Sequence, residues 1–146
     1  MGELDPTEPD MLDDLAGPAP ELDALARRVV DACIKIHIKL GPGLPESHYG
    51  NAMAIEFRRR GIPFVREPIV VVAYEGKEIG ECRLDFVIDH RLVLEIKAIE
   101  KLGDVHRAQV LTYLKITNCR LGLLINWNVE RLLQGVTRVI NPYHQP

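Results

Sequence analysis

Asp85 and, ten residues on, Glu95-Ile96-Lys97 are the residues of this chain best suited to chemistry. Both acids are embedded in strand-like apolar sequence, Arg83-Leu84-Asp85-Phe86-Val87-Ile88 and Leu92-Val93-Leu94-Glu95-Ile96-Lys97. Carboxylates and an ammonium on adjoining buried strands are costly to fold around unless they pair or hold an ion. Strand alternation predicts that Asp85 and Val87 share one face while Leu84, Phe86 and Ile88 share the other. Val93, Glu95 and Lys97 likewise oppose Leu92, Leu94 and Ile96. A hairpin turning through Asp89-His90-Arg91 pairs Ile88 with Leu92 and, by extension, Asp85 with Glu95, with Cβ atoms about 5 Å apart.

Like charges so placed repel. A hard divalent cation such as Mg²⁺ or Mn²⁺, held by one or two carboxylates with water completing its shell, relieves that repulsion. Lys97 lies one pleat farther along the same face, where it could orient an attacking water or offset charge growing on a phosphate. The same residues could equally form a structural network of Asp, Glu and Lys on a half-exposed sheet, and spacing alone does not separate the two readings.

Three further segments bear on that choice. His106, Gln109 and Tyr113 fall within about 60° of one another on a helix. Such a stripe is either solvated, or it places Gln109 and Tyr113 against a scissile phosphate or a metal-bound water. Glu46, within Gly43-Leu44-Pro45-Glu46-Ser47-His48-Tyr49, opens another helix, where the macrodipole accounts for an acid as well as function does. Cys33 and His37 are spaced i, i+4 as two transition-metal ligands would be, but two ligands do not make a site.

The elements that must carry these residues follow from periodicity. Leu22, Leu25, Ala26, Val29, Cys33, Ile36 and Leu40 recur at helical spacing between residues 21 and 40, with His37 on the same stripe. Gly41-Pro42-Gly43 breaks that helix, and a second runs from about Pro45 to Arg60, closed by Gly61. Residues 63–74, 77–88 and 92–98 read as strands, the first two joined by a Glu75-Gly76-Lys77 turn. Asp104 is expected to N-cap a helix ending near Thr117. Residues 120–126 form a short buried strand, followed by a short helix over 129–133 and a strand over 136–140. The order predicts an α/β fold with a mixed central sheet flanked by helices, since hairpin strands pair antiparallel and a helical crossover favours a parallel partner.

With 146 residues, 47% hydrophobic and 27% charged, the chain has the length and composition of one ordinary globular domain, expected over 20–146. No apolar run approaches the roughly 18 residues of a membrane span, and no signal-peptide pattern opens the chain, so a cytoplasmic protein is expected. Cys33, Cys82 and Cys119 are too few and too scattered for a disulfide framework or a zinc finger. The net charge of −3 hides an asymmetry: residues 1–19 hold six acids and no Lys or Arg, and the rest carries +3. That acidic, proline-containing tail is expected to be disordered.

Gly43, Glu46 and Tyr49 reproduce a G-x-x-E-x-x-Y signature, and Asp85 with Glu95-Ile96-Lys97 a D…(D/E)-x-K core. In these and in Ala108 to Lys115 and Leu121 to Asn126, the chain resembles the GxxExxY family of the PD-(D/E)XK nuclease superfamily, from about Leu25 to Ile140. Leu84 stands where the superfamily's name has Pro. The resemblance implies a restriction-endonuclease-like αβββαβ core and a Mg²⁺- or Mn²⁺-dependent nuclease. Asp85, Glu95 and Glu46 would be metal ligands, Lys97 would assist the nucleophilic water, and Gln109 would complete the catalytic set. Tyr49, His106 and Tyr113 would contact substrate.

The expected partner is nucleic acid, DNA or RNA, with Arg58, Arg59, Arg60, Arg66 and Arg107 offered to its backbone and a homodimer by analogy. The alternative is a non-catalytic nucleic-acid-binding or assembly protein whose acid cluster is structural.

Overall fold

The structure, a computed structural model, describes residues 19–146, so the acidic tail lies outside the described residues apart from Ala19. Helix α1 (Pro20–Leu40) forms where the apolar stripe predicts, with Pro20 in its first turn and Leu22, Leu25, Ala26, Val29, Cys33 and Ile36 buried. Burying a large aliphatic side chain contributes about 1.5–3 kcal/mol, so the stripe outweighs the cost of ordering the helix. Gly41 ends it at φ 71°, a backbone state open to glycine, with its N–H donated to the His37 carbonyl. Helix α2 (Glu46–Arg59) starts at the Pro45 N-cap and stops before Gly61 at φ 67°.

The strands are β1 (Phe64–Arg66), β2 (Ile69–Tyr74), β3 (Lys77–Arg83), β4 (Phe86–Ile88), β5 (Leu92–Lys97), β6 (Leu121–Asn126) and β7 (Val136–Ile140). Helix α3 (Asp104–Thr117) links β5 to β6, and a 3₁₀ turn at Leu132–Gly135 stands where a helix over 129–133 is expected. Strands β1-β4-β5-β6-β7 form one sheet, parallel between β5 and β6 and antiparallel elsewhere. This is the mixed α/β sheet flanked by helices, of restriction-endonuclease-like type, that the sequence predicts.

Two expected strands are each cut in two. Residues 63–74 break at Glu67, which sits at φ 54° before Pro68, and residues 77–88 break at Leu84-Asp85. The breaks lie side by side: Glu67 N–H donates to the Asp85 carbonyl at 2.8 Å and Leu84 N–H to the Pro68 carbonyl at 3.1 Å. Beyond them β2 and β3 leave the main sheet as a separate two-stranded ribbon. Unbroken Val and Ile content hides the interruption, although a proline inside a strand run is a sign of an edge or a break.

The sheet separates two apolar layers. On one face α1 and α2 pack Val29, Met53 and Phe57 against Phe86, Leu94, Ile96 and Leu123. On the other, Val110 and Leu114 of α3 meet Val93, Leu124 and Leu84. Leu84 thus lies on the face opposite to Phe86, not with it as uniform alternation predicts, because the break resets the phase. Gly122 lets α3 approach closely, since a Cβ there would stand 2.7 Å from Val110 Cγ1. Gly122→Ala is therefore expected to cost about 1–3 kcal/mol, read as a lower denaturation midpoint at unchanged m-value.

Candidate active site

The break in the sheet is where the acids meet. The hairpin register pairs Phe86 with Leu94 and Ile88 with Leu92, as the turn through Asp89-His90-Arg91 requires. Asp89 and His90 take φ of 49° and 60°, which Asp tolerates well. One step beyond the ladder, side chains take over its bonds: Asp85 N–H donates to Glu95 Oε1 at 2.9 Å, and Ile96 N–H donates to Asp85 Oδ2 at 2.8 Å. Each carboxyl is thereby fixed, leaving its second oxygen for another partner.

Glu95 is only 4% exposed. Burial pushes its carboxyl well above the ordinary range, and the adjacent Asp85 charge and a hydrogen bond with the Asp85 carboxyl push the same way. The Asp85 N–H and the Lys97 charge oppose them. Two carboxyls this close, one buried and one half-buried, suit a cation that would offset their mutual repulsion. Glu46, in the first turn of α2, is raised first by partial burial and then by Asp85, and is lowered by Lys97. Between α2 and the break lies a cleft of about 290 Å³, lined by Glu46, Ser47, Gly50, Arg66, Asp85 and Ile96 among others.

The sequence core Asp85…Glu95-Ile96-Lys97 is thus assembled in space at the bend of a mixed sheet, and a family model of the PD-(D/E)XK nuclease superfamily matches residues 23–139. The chain belongs to that superfamily. Members of the PD-(D/E)XK superfamily are nucleases that generally use divalent metals, so nuclease chemistry on nucleic acid is the class of activity indicated. No curated protein matches the chain significantly.

Other residues expected in this PD-(D/E)XK site divide by geometry. Tyr113 stands near the acid pair from the α3 side: its hydroxyl feels the charges of Glu95 and Asp85 and accepts a hydrogen bond from Gln109 Nε2 at 3.1 Å. Burial leads in raising the Tyr113 hydroxyl, so it stays protonated and able to donate. Asp85, Glu95, Lys97, Glu46, Tyr113 and Gln109 thus form one electrostatic and hydrogen-bonded neighbourhood. Among the described residues, however, no three Asp, Glu, His or Cys side chains converge closely enough to hold a metal. The structure therefore does not gather Glu46, Asp85 and Glu95 into a preformed triad. A cation here would take Asp85 and Glu95, with water filling the shell.

Two expectations are corrected. Tyr49 is fully buried and does not face substrate. Its hydroxyl donates to the Gly41 carbonyl at 2.6 Å and accepts the Leu44 N–H at 3.1 Å, while its ring stacks on Trp127 at 4.7 Å. The signature tyrosine therefore clamps the loop ahead of α2. At the start of α3 His106 Nδ1 accepts the Gly103 N–H at 2.9 Å, and Gly103, not the expected Asp104, is the N-cap. Cys33 and His37, too few to make a site, are placed by packing: Cys33 is buried in the core and His37 Nε2 lies 3.2 Å from the Trp127 carbonyl.

Asn126 is the supporting residue that sequence reading overlooks. It is buried at the end of β6, in register with Lys97, and its side chain bonds both the N–H of Ile99 at 3.1 Å and the carbonyl of Ile99 at 2.9 Å. Trp127 N–H donates to the Lys97 carbonyl at 2.8 Å. Together they fix the chain leaving Lys97. The available signal is an amide closing an otherwise apolar buried run, Leu121 to Ile125.

Proposed function

We propose that this chain is a GxxExxY-type, Mg²⁺- or Mn²⁺-dependent nuclease that hydrolyses phosphodiester bonds at the Asp85–Glu95 pair. The observation that carries the reading is the acid pair itself, a buried Glu95 beside a half-buried Asp85, each carboxyl anchored by one backbone N–H. When bound, the cation supplies Lewis acidity and a more acidic water. Lys97, whose charge reaches both Glu95 and Glu46, offsets charge growing on the phosphorus oxygens and orients the nucleophilic water. Tyr113, held by Gln109, offers a hydroxyl to a phosphate oxygen, and Glu46 closes the cleft on the α2 side. We place the enzyme in the cytoplasm; among the described residues no helix is long and apolar enough to cross a membrane.

A second reading also has an observation behind it: the acid-to-amide bonds tie the bent strands together, as a purely structural cluster would. Calorimetric titration with Mn²⁺ separates the two. Wild type is expected to bind and Asp85→Asn to lose binding; a wild type that takes up no Mn²⁺ defeats the metal-enzyme reading. On labelled single-stranded, duplex and RNA substrates, Lys97→Ala is expected to lower cleavage about 10²-fold with Mn²⁺ affinity little changed.

A further inference from the structure

We infer that Arg66 is a preformed phosphate-binding residue, holding a backbone phosphate of the nucleic acid in the cleft beside the acid pair. The inference deepens the nuclease reading and rests on it for the identity of the ligand as nucleic acid. Arg66 ends β1 in register with Phe86, one residue from Asp85, and lines the same cleft as Asp85, Glu46 and Ser47. Its guanidinium is held from two sides: Nη1 donates to Asn51 Oδ1 at 2.7 Å, and Cζ stands 5.8 Å from the Phe86 ring centroid. The third side is kept clear by Gly50, where a Cβ would lie 2.8 Å from Arg66 Nη2. With glycine at position 50 the guanidinium can lie directly against α2, and a side chain there would shift it from that place.

The seat provides a neutral acceptor and an aromatic face but no countercharge. Among the described residues no carboxylate comes within ion-pair distance of Arg66, whereas Lys35, Arg60, Arg91 and Arg138, whose side chains also hydrogen-bond to other side chains, each have one. A guanidinium has five N–H donors, and a single hydrogen bond to Asn51 leaves most of the fork available. A planar, always-charged fork matches the paired oxygens of a phosphate, and its fixed orientation removes much of the ordering cost of binding. Glu46, Glu67 and Asp85 on the same walls repel a bare anion. They therefore favour a phosphate that arrives with the cation at Asp85 and Glu95, or as part of a strand that other contacts hold.

The test is binding of labelled single-stranded and duplex DNA and RNA oligonucleotides without divalent metal, across a salt series, on an Asp85→Asn background in which cleavage does not interfere. Arg66→Ala is expected to weaken binding about tenfold and to flatten the dependence of log Kd on log salt by about one. Arg66→Lys keeps the charge without the fork and falls between. Gly50→Ala, which fills the seat and leaves every charge in place, is expected to weaken binding with thermal unfolding checked in parallel. Arg66→Ala with unchanged affinity and salt slope in a folded protein overturns the inference, and so does Gly50→Ala with wild-type binding. Loss of Mn²⁺ uptake or cleavage in wild type, with Arg66-dependent binding intact, sinks the nuclease reading and leaves Arg66 as a phosphate site.

Discussion

Glu95→Gln is expected to abolish metal-dependent cleavage, by about 10³-fold or more, while making the metal-free protein more stable at neutral pH. Both effects come from the same charge. In the folded chain burial and Asp85 raise the Glu95 carboxyl above its unfolded value. The sign follows: the stability this group contributes is fully present at acid pH, below the unfolded pKa, and is lost as pH rises through the folded one. The wild-type apoprotein should therefore melt at progressively lower temperature as pH climbs from the ordinary carboxylate range past neutrality. Glu95→Gln still accepts the Asp85 N–H through its amide oxygen but carries no charge to bury, and should lack that decline. We expect a gain of roughly 1 kcal/mol near neutral pH, or about 3 °C. Melting curves against pH, with and without Mn²⁺, check both halves. In wild type Mn²⁺ should restore the lost stability by binding the native state alone, and in the variant it should do nothing. A variant that is less stable than wild type throughout would mean that Glu95 is a strut, not a strained metal ligand.

The second large effect separates structure from substrate contact. Tyr49→Ala is expected to cost about 4 kcal/mol, as removal of a fully buried aromatic does, because the ring stacked on Trp127 and both loop hydrogen bonds are lost together. Tyr49→Phe keeps the ring and should cost about 1–2 kcal/mol for the orphaned loop groups. If Tyr49 only clamps the loop, the Phe variant keeps KM for nucleic acid at the wild-type value. A raised KM with unchanged stability would return Tyr49 to the substrate side.

How far the sequence discloses this molecule can be judged from the same residues. The register that sets Phe86 against Leu94 is legible because a turn at Asp89-His90 leaves the alternation of both strands intact up to Phe86. Alternation then fails at Leu84, since a chain that bends can change which face a residue meets without any change in residue type. Tyr49 shows a second limit. The G-x-x-E-x-x-Y spacing puts Glu46 and Tyr49 three residues apart at the start of α2, but whether that tyrosine looks into the cleft or into the core depends on Trp127, far away in sequence. Arg66 shows a third. Sequence offers Arg66 to a nucleic-acid backbone only as one of five arginines, and what sets it apart, Gly50, Asn51 and Phe86 around its guanidinium, is brought together only by the fold.

The paired interruptions at Glu67 and at Leu84-Asp85 also have a mechanical meaning. The β2–β3 ribbon leaves the main sheet there, and two backbone hydrogen bonds, Glu67 to Asp85 and Leu84 to Pro68, tie the interruptions together at its root. At its base Val70 and Cys82 pack against the α3-side core, and only the outer part, near Tyr74 and Ile79, stands exposed. The acid pair therefore shares its backbone with the root of the ribbon, so whatever packs on that root also bears on where Asp85 stands.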